Sequence, residues 1–201
     1  MGHVLTSVTP ETQAVADLRN AALTFGVLGF CLGGCLGIAG GLARPSRAAL
    51  VTAGLLGSIL GPALAAGVTL AWLPSFLWAR ITYSDYELII SLAIHGLPWG
   101  LAGAAAGLAF AVGLGEGRLI GPTLAAGFVG AVLGTIAFDL IGAALFPFAD
   151  TAEPIATTWP CRLLARMLVT AATAAAMILV LPAPRPAPAA RPPEIGSPSQ
   201  P

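Results

Sequence analysis

Gly100-Leu101-Ala102-Gly103-Ala104-Ala105-Ala106-Gly107 lies in the middle of a long apolar run, just after His95-Gly96-Leu97-Pro98, where a bend is expected. Its Gly-x-x-Gly-x-x-x-Gly spacing sets three positions without a side chain along one helical face. In lipid, burial against a neighbour brings no hydrophobic gain, so helices associate through close backbone contact at small residues. The same spacing recurs at Gly26/Gly29/Gly33, Gly54/Gly57/Gly61 and Gly127/Gly130/Gly134. Four such faces on four apolar runs predict an all-α integral membrane protein packed through glycine.

Composition agrees. Of 201 residues, 57% are hydrophobic and 9% charged, against roughly 25% charged in an ordinary soluble domain. The net charge is zero, and every basic residue other than histidine is arginine. No basic face is available for a nucleic acid, so none is expected as a partner. Missing lysine beside abundant Ala, Gly, Pro and Arg points to a GC-rich bacterial coding sequence, hence the bacterial cytoplasmic membrane. Cys31 and Cys35 lie one turn apart and Cys161 begins another run. Without further ligands at matching depth they read as small buried packing residues, so no metal or cofactor is expected.

Residues 1–17 form a polar tail without the basic start of a signal peptide. Five apolar runs then predict transmembrane helices at about 21–42, 48–79, 88–114, 119–146 and 163–181 within one domain, 18–181. The first is too long for a signal-peptide core and reads as retained, with cleavage near Ala43 as the alternative. Arg44-Pro45-Ser46-Arg47 and Gly115-Glu116-Gly117-Arg118 are tight turns. Gly61-Pro62 predicts an irregularity in the second helix. Trp72, Phe76, Trp78, Tyr83 and Tyr86 mix with charges as an interfacial segment, and Phe148 and Trp159 anchor a polar loop. Residues 182–201, rich in proline and alanine, cannot bury a core and read as disordered.

The runs contain a repeat. Gly26/Gly29/Gly33 map onto Gly100/Gly103/Gly107 by a shift of 74, and Gly54/Gly57/Gly61 onto Gly127/Gly130/Gly134 by a shift of 73. A duplicated two-helix unit plus one extra helix follows, with both units in the same orientation. Arginines 44, 47, 118, 185 and 191 share one side of the bilayer against 19, 80 and 162 near the other, and with Arg44 and Arg47 directly flanking the first helix the expectation is an amino terminus outside and a carboxyl terminus in the cytoplasm.

Ionisable groups inside spanning helices are costly and mark functional sites by default. Counted inward from the outer ends of their runs at ~1.5 Å per residue, His95 lies ~12 Å deep, Asp139 ~11 Å and Arg166 ~9 Å. Three helices thus bring a base, an acid and a cation to one level. Glu87, Ser91 and His95 form one helical stripe; Arg162, Arg166 and Thr170 form another. Pairing Glu87 with Arg162 and Asp139 with Arg166, with His95 alongside, would satisfy every charge. Such a cluster serves either as interhelical glue or as a protonatable, anion-binding site opening outward. Asp139 corresponds to Ala66 in the repeat, so the cluster is asymmetric.

No catalytic residue emerges. Gly57-Ser58 lacks the Gly-x-Ser-Gly order of an intramembrane serine protease, Asp139 has no second intramembrane aspartate, and no phosphate-binding loop or zinc helix is present. The sequence therefore predicts a non-enzymatic membrane component whose glycine faces join a second copy or another membrane protein. The alternative is a small transporter or channel for protons or a small anion through His95, Asp139 and Arg166. The bilayer is the partner common to both; the substrate is left open.

Overall fold

The computed structural model describes residues 10–82, 87–146, 155 and 158–182; side chains at 10–11, 76–77, 79–82 and 87–91 lie outside that description. The described residues are helical, without a strand, in five long helices: α1 Pro10–Leu42, α2 Arg47–Thr82, α3 Glu87–Leu114, α4 Ile120–Leu145 and α5 Trp159–Leu179. All five are long and apolar enough to cross a membrane. The protein is a multi-pass membrane protein by that measure.

Helix boundaries follow local chemistry. α1 starts at Pro10 rather than near Ala21, so half of the expected polar tail is helix. Proline suits a first helical position, and Glu11–Asn20 contains neither glycine nor proline to stop propagation. Ser46 caps α2, its hydroxyl accepting from the Ala49 amide at 3.3 Å. α3 ends at Gly115, whose φ of 70° is the left-handed conformation that glycine adopts without strain. The Arg44 guanidinium lies against that glycine, joining the turn after α1 to the turn after α3. α2 and α3 run as unbroken helices through Pro62, Pro74 and Pro98.

The contacts fix direction. Phe25 meets Trp99 and Gly40 meets Phe110, so α1 and α3 run parallel. Gly33 faces Gly57, Gly107 faces Thr123, and Gly134 faces Val169, so each consecutive pair is antiparallel. α3 is central, packed on α1, α2 and α4, while α5 packs on α4 at the edge.

Close approach between helices occurs at bare glycines. A β-carbon on Gly29 or Gly33 would run into the backbone of Gly61 or Gly57, and one on Gly103 or Gly107 into that of Gly127 or Thr123. Gly130 and Gly134 instead face α5, where a β-carbon on Gly134 would sit 2.6 Å from the Val169 Cα. The two helix pairs therefore meet in different registers: Gly29 opposes Gly61, whereas Gly103 opposes Gly127. Cys161 is buried, but Cys31 and Cys35 are exposed on the outer face of α1, contrary to the packing role expected of them. Spacing of one turn puts both on one face without saying which.

Candidate functional site

The buried polar residues divide into two kinds. Thr69, Thr123, Thr135 and Thr173 each donate a hydroxyl hydrogen bond to the carbonyl four residues back, at 2.7–2.9 Å. Each is satisfied by the backbone one turn before it, as a membrane interior requires. His95 and Asp139 are the other kind. They are 4% and 6% exposed, and His95 Nδ1 lies 3.4 Å from Asp139 Oδ1. Neither oxygen of Asp139 has a hydrogen-bond partner among the described residues. Buried polar groups are nearly always hydrogen-bonded, so this carboxylate is the exception to be explained.

The pair is positioned by the α3–α4 crossing. Gly100 and Gly103 let α3 approach α4 around Phe128 and Gly127, and farther along the same antiparallel contact His95 meets Phe138 and Asp139. The His95 ring stands edge-on to Phe138, with centroids 6.2 Å apart and planes at 82°. Phe138 packs in turn on buried Cys161 of α5.

His95 also lines a partly open cavity of about 40 Å³, room for roughly three water molecules. α1 contributes Thr24, Phe25 and Leu28 to it; α3 contributes His95 and Trp99; α4 contributes Phe138; and α5 contributes Arg162, Ala165 and Arg166. Ile155 completes the lining. Phe25 and Trp99, both in the lining, pack edge to face with ring centroids 5.9 Å apart. The charged groups among the described lining residues, Arg162 and Arg166, are both cationic.

This arrangement departs from the expected pairing. Asp139 is joined to His95, and no ion pair links it to Arg166, which is exposed at the cavity wall. α5 packs on α4 through Gly130 and Gly134 and sets buried Cys161 against Phe138, the residue before Asp139, while Arg166 lines the cavity. Arg162 is half-buried and shares the wall with Arg166 one turn away. Glu87 and Ser91 fall among the side chains outside the description, so the expected Glu87–Arg162 pair lies there too. Sequence reading missed Phe25, Trp99, Phe138 and Cys161 as neighbours of the pair. Aromatic and small residues inside apolar runs carry no signal that separates a cavity wall from ordinary core.

The exposed Arg166 guanidinium on the cavity wall offers a planar donor fork to an anion. An imidazole against a carboxylate offers a place for a proton. No family model, curated protein or solved structure matches this chain.

Proposed function

We propose that this chain is a non-enzymatic membrane protein that conducts or transports a proton or a small anion through the cavity lined by His95, Arg162 and Arg166. The carrying observation is Asp139, a membrane-buried carboxylate without a hydrogen-bond partner among the described residues, in contact with His95 at a cavity wall. A purely structural pair would gain from satisfying both oxygens; an ion pathway needs a site that can change its occupancy. The cavity lies at the end of the bundle where α1, α3 and α5 begin, which is the outer end if the arginine-bearing turns are cytoplasmic.

Self-association, or entry into a larger membrane complex, is the other reading. Its motive was the surplus of glycine faces. Those glycines meet helices of the same chain, which leaves the polar cavity as the feature a function must account for. The close approach at Gly29/Gly61 and Gly103/Gly127 supports glycine-mediated packing of a duplicated two-helix unit whose second helix has shifted register.

Reconstitution into liposomes tests the transport reading. Vesicles holding the protein should dissipate an imposed proton or chloride gradient faster than empty ones, and Arg166→Gln should lower that rate about tenfold if the guanidinium binds the ion through charge-assisted bonds of ~1.5–3 kcal/mol. Absence of flux for protons and for chloride, nitrate and phosphate, under gradients of either sign, would overturn it.

A further inference from the structure

We infer that the hollow inside the turn between α1 and α2 binds an anionic glycerophospholipid, its phosphate held by Arg44 and Arg47. The hollow lies at the opposite end of the bundle from His95, so lipid binding there stands or falls apart from transport.

The turn is closed at its base and open above. A β-carbon on Gly41 would run into the Leu50 backbone, so the end of α1 lies directly against the start of α2. Beside that contact is an open hollow of about 320 Å³, against about 40 Å³ for the cavity at His95. Leu42, Arg44, Ser46, Arg47 and Leu50 are among its lining residues, and no carboxylate is. The charge there is unbalanced. Between Asp17 and Asp85 the sequence contains no acidic residue. Helix direction puts Glu11, Asp17, Glu87 and Asp139 toward the other end of the bundle. Glu116 is therefore the one described acid at this end, and Arg118 engages it at 2.9 Å. Arg44 and Arg47 are exposed, and neither side chain is joined to a described residue by a hydrogen bond or ion pair. The Arg44 guanidinium rests against Gly115, which has no side chain to compete for its donors.

Charge-directed insertion accounts for arginines beside a helix end. It does not account for two of them lining one hollow that holds no acid. Guanidinium forks match phosphate oxygens in geometry and charge, and basic pockets between transmembrane helices are where acidic headgroups bind. The surface next to the hollow favours a lipid over a water-borne phosphate. Leu42, in the lining, is exposed, and Val51, Leu55 and Ile59 form an exposed stripe at four-residue spacing along α2. That stripe starts one residue after Leu50 and continues down the spanning segment. A phosphate seated at the two arginines has its acyl chains beside this apolar stripe and gains dispersion contacts along it; a free ion gains none.

Native mass spectrometry of the full chain, in neutral detergent doped with equal amounts of phosphatidylglycerol and phosphatidylcholine, tests this. Wild type should retain phosphatidylglycerol about 30-fold over the zwitterionic lipid, the equivalent of ~1 kcal/mol for each of two arginines at an anionic headgroup. Arg47→Gln, a single exposed change, should lower that preference about fivefold, and Arg44→Gln/Arg47→Gln should abolish it. Arg118→Gln removes one positive charge from the same end and should leave the preference unchanged, because that arginine is engaged by Glu116. Detergent replaces the bilayer, so orientation on insertion does not enter the readout. Lipid binding at this turn is overturned if wild type shows no preference, or if the double variant keeps it. Equal losses in Arg118→Gln and Arg47→Gln would also sink it, since the general field of the arginines would then suffice without a site. Inorganic phosphate in large excess should displace little of the bound lipid. Complete displacement would show that the turn takes a water-borne anion instead.

Discussion

At Asp139 one contact outweighs its neighbours. A charged aspartate at a helix centre costs about 2.5–3.5 kcal/mol on insertion scales, and the described structure sets His95 Nδ1 at 3.4 Å against it. Removing one member of a buried pair strands the other, typically at a cost of 3–5 kcal/mol, whereas replacing both by apolar residues is often neutral or stabilising. His95→Leu alone should therefore lower unfolding stability in detergent by about 3 kcal/mol. The double variant His95→Leu/Asp139→Leu should recover to within about 1 kcal/mol of the parent or exceed it. Denaturant titration of the two singles and the double closes the cycle. Additive losses would mean that the residues are not coupled, and a double variant well below the parent would make the pair structural glue. Arg166, exposed and not paired with Asp139, should show little coupling to it in the same cycle.

Between helices, space at the backbone is the deciding quantity. Gly33 faces the Gly57 backbone, while a β-carbon on Gly67, in the same bundle, meets nothing within 4 Å. Gly33→Ala should then cost about 1–3 kcal/mol through overpacking, whereas Gly67→Ala should be neutral or gain up to about 1 kcal/mol in helix propensity. Equal effects at the two sites, measured by thermal unfolding in one detergent, would contradict the close approach. Much of this was legible beforehand. Apolar run length located the five helices, and counting depth along their axes brought His95 and Asp139 to one level, where they meet. Counting along an axis says nothing of azimuth. That is why depth pairs Arg166 with Asp139 although Arg166 stands at the cavity wall, and why spacing alone reads Cys31 and Cys35 as buried although both are exposed. Glycine spacing likewise shows that a face is bare without naming the neighbour, so the turn of Gly130 and Gly134 toward α5 was not foreseeable.

Across the whole molecule, the alternation of helix direction sorts the connections onto two ends. The Ala43–Ser46 turn, the Gly115–Leu119 turn and the end of α5 share one end; the start of α1 and the cavity share the other. Arg44, Arg47 and Arg118 lie at the first, with the Arg44 guanidinium against Gly115 of the other turn. Positive charge close to helix ends is retained on the cytoplasmic side during insertion, so the cavity should open outward. Single cysteines in a background with Cys31, Cys35 and Cys161 replaced by serine or alanine test this. Gln13→Cys, exposed in the first turns of α1, should react with a membrane-impermeant maleimide on intact cells. Glu116→Cys, exposed in the turn after α3, should react only after permeabilisation. The inverse pattern would turn the molecule over and place His95 within reach of cytoplasmic protons. Inversion would also change which compartment supplies the ions that reach Arg166, because the cavity lies toward one end of the bundle.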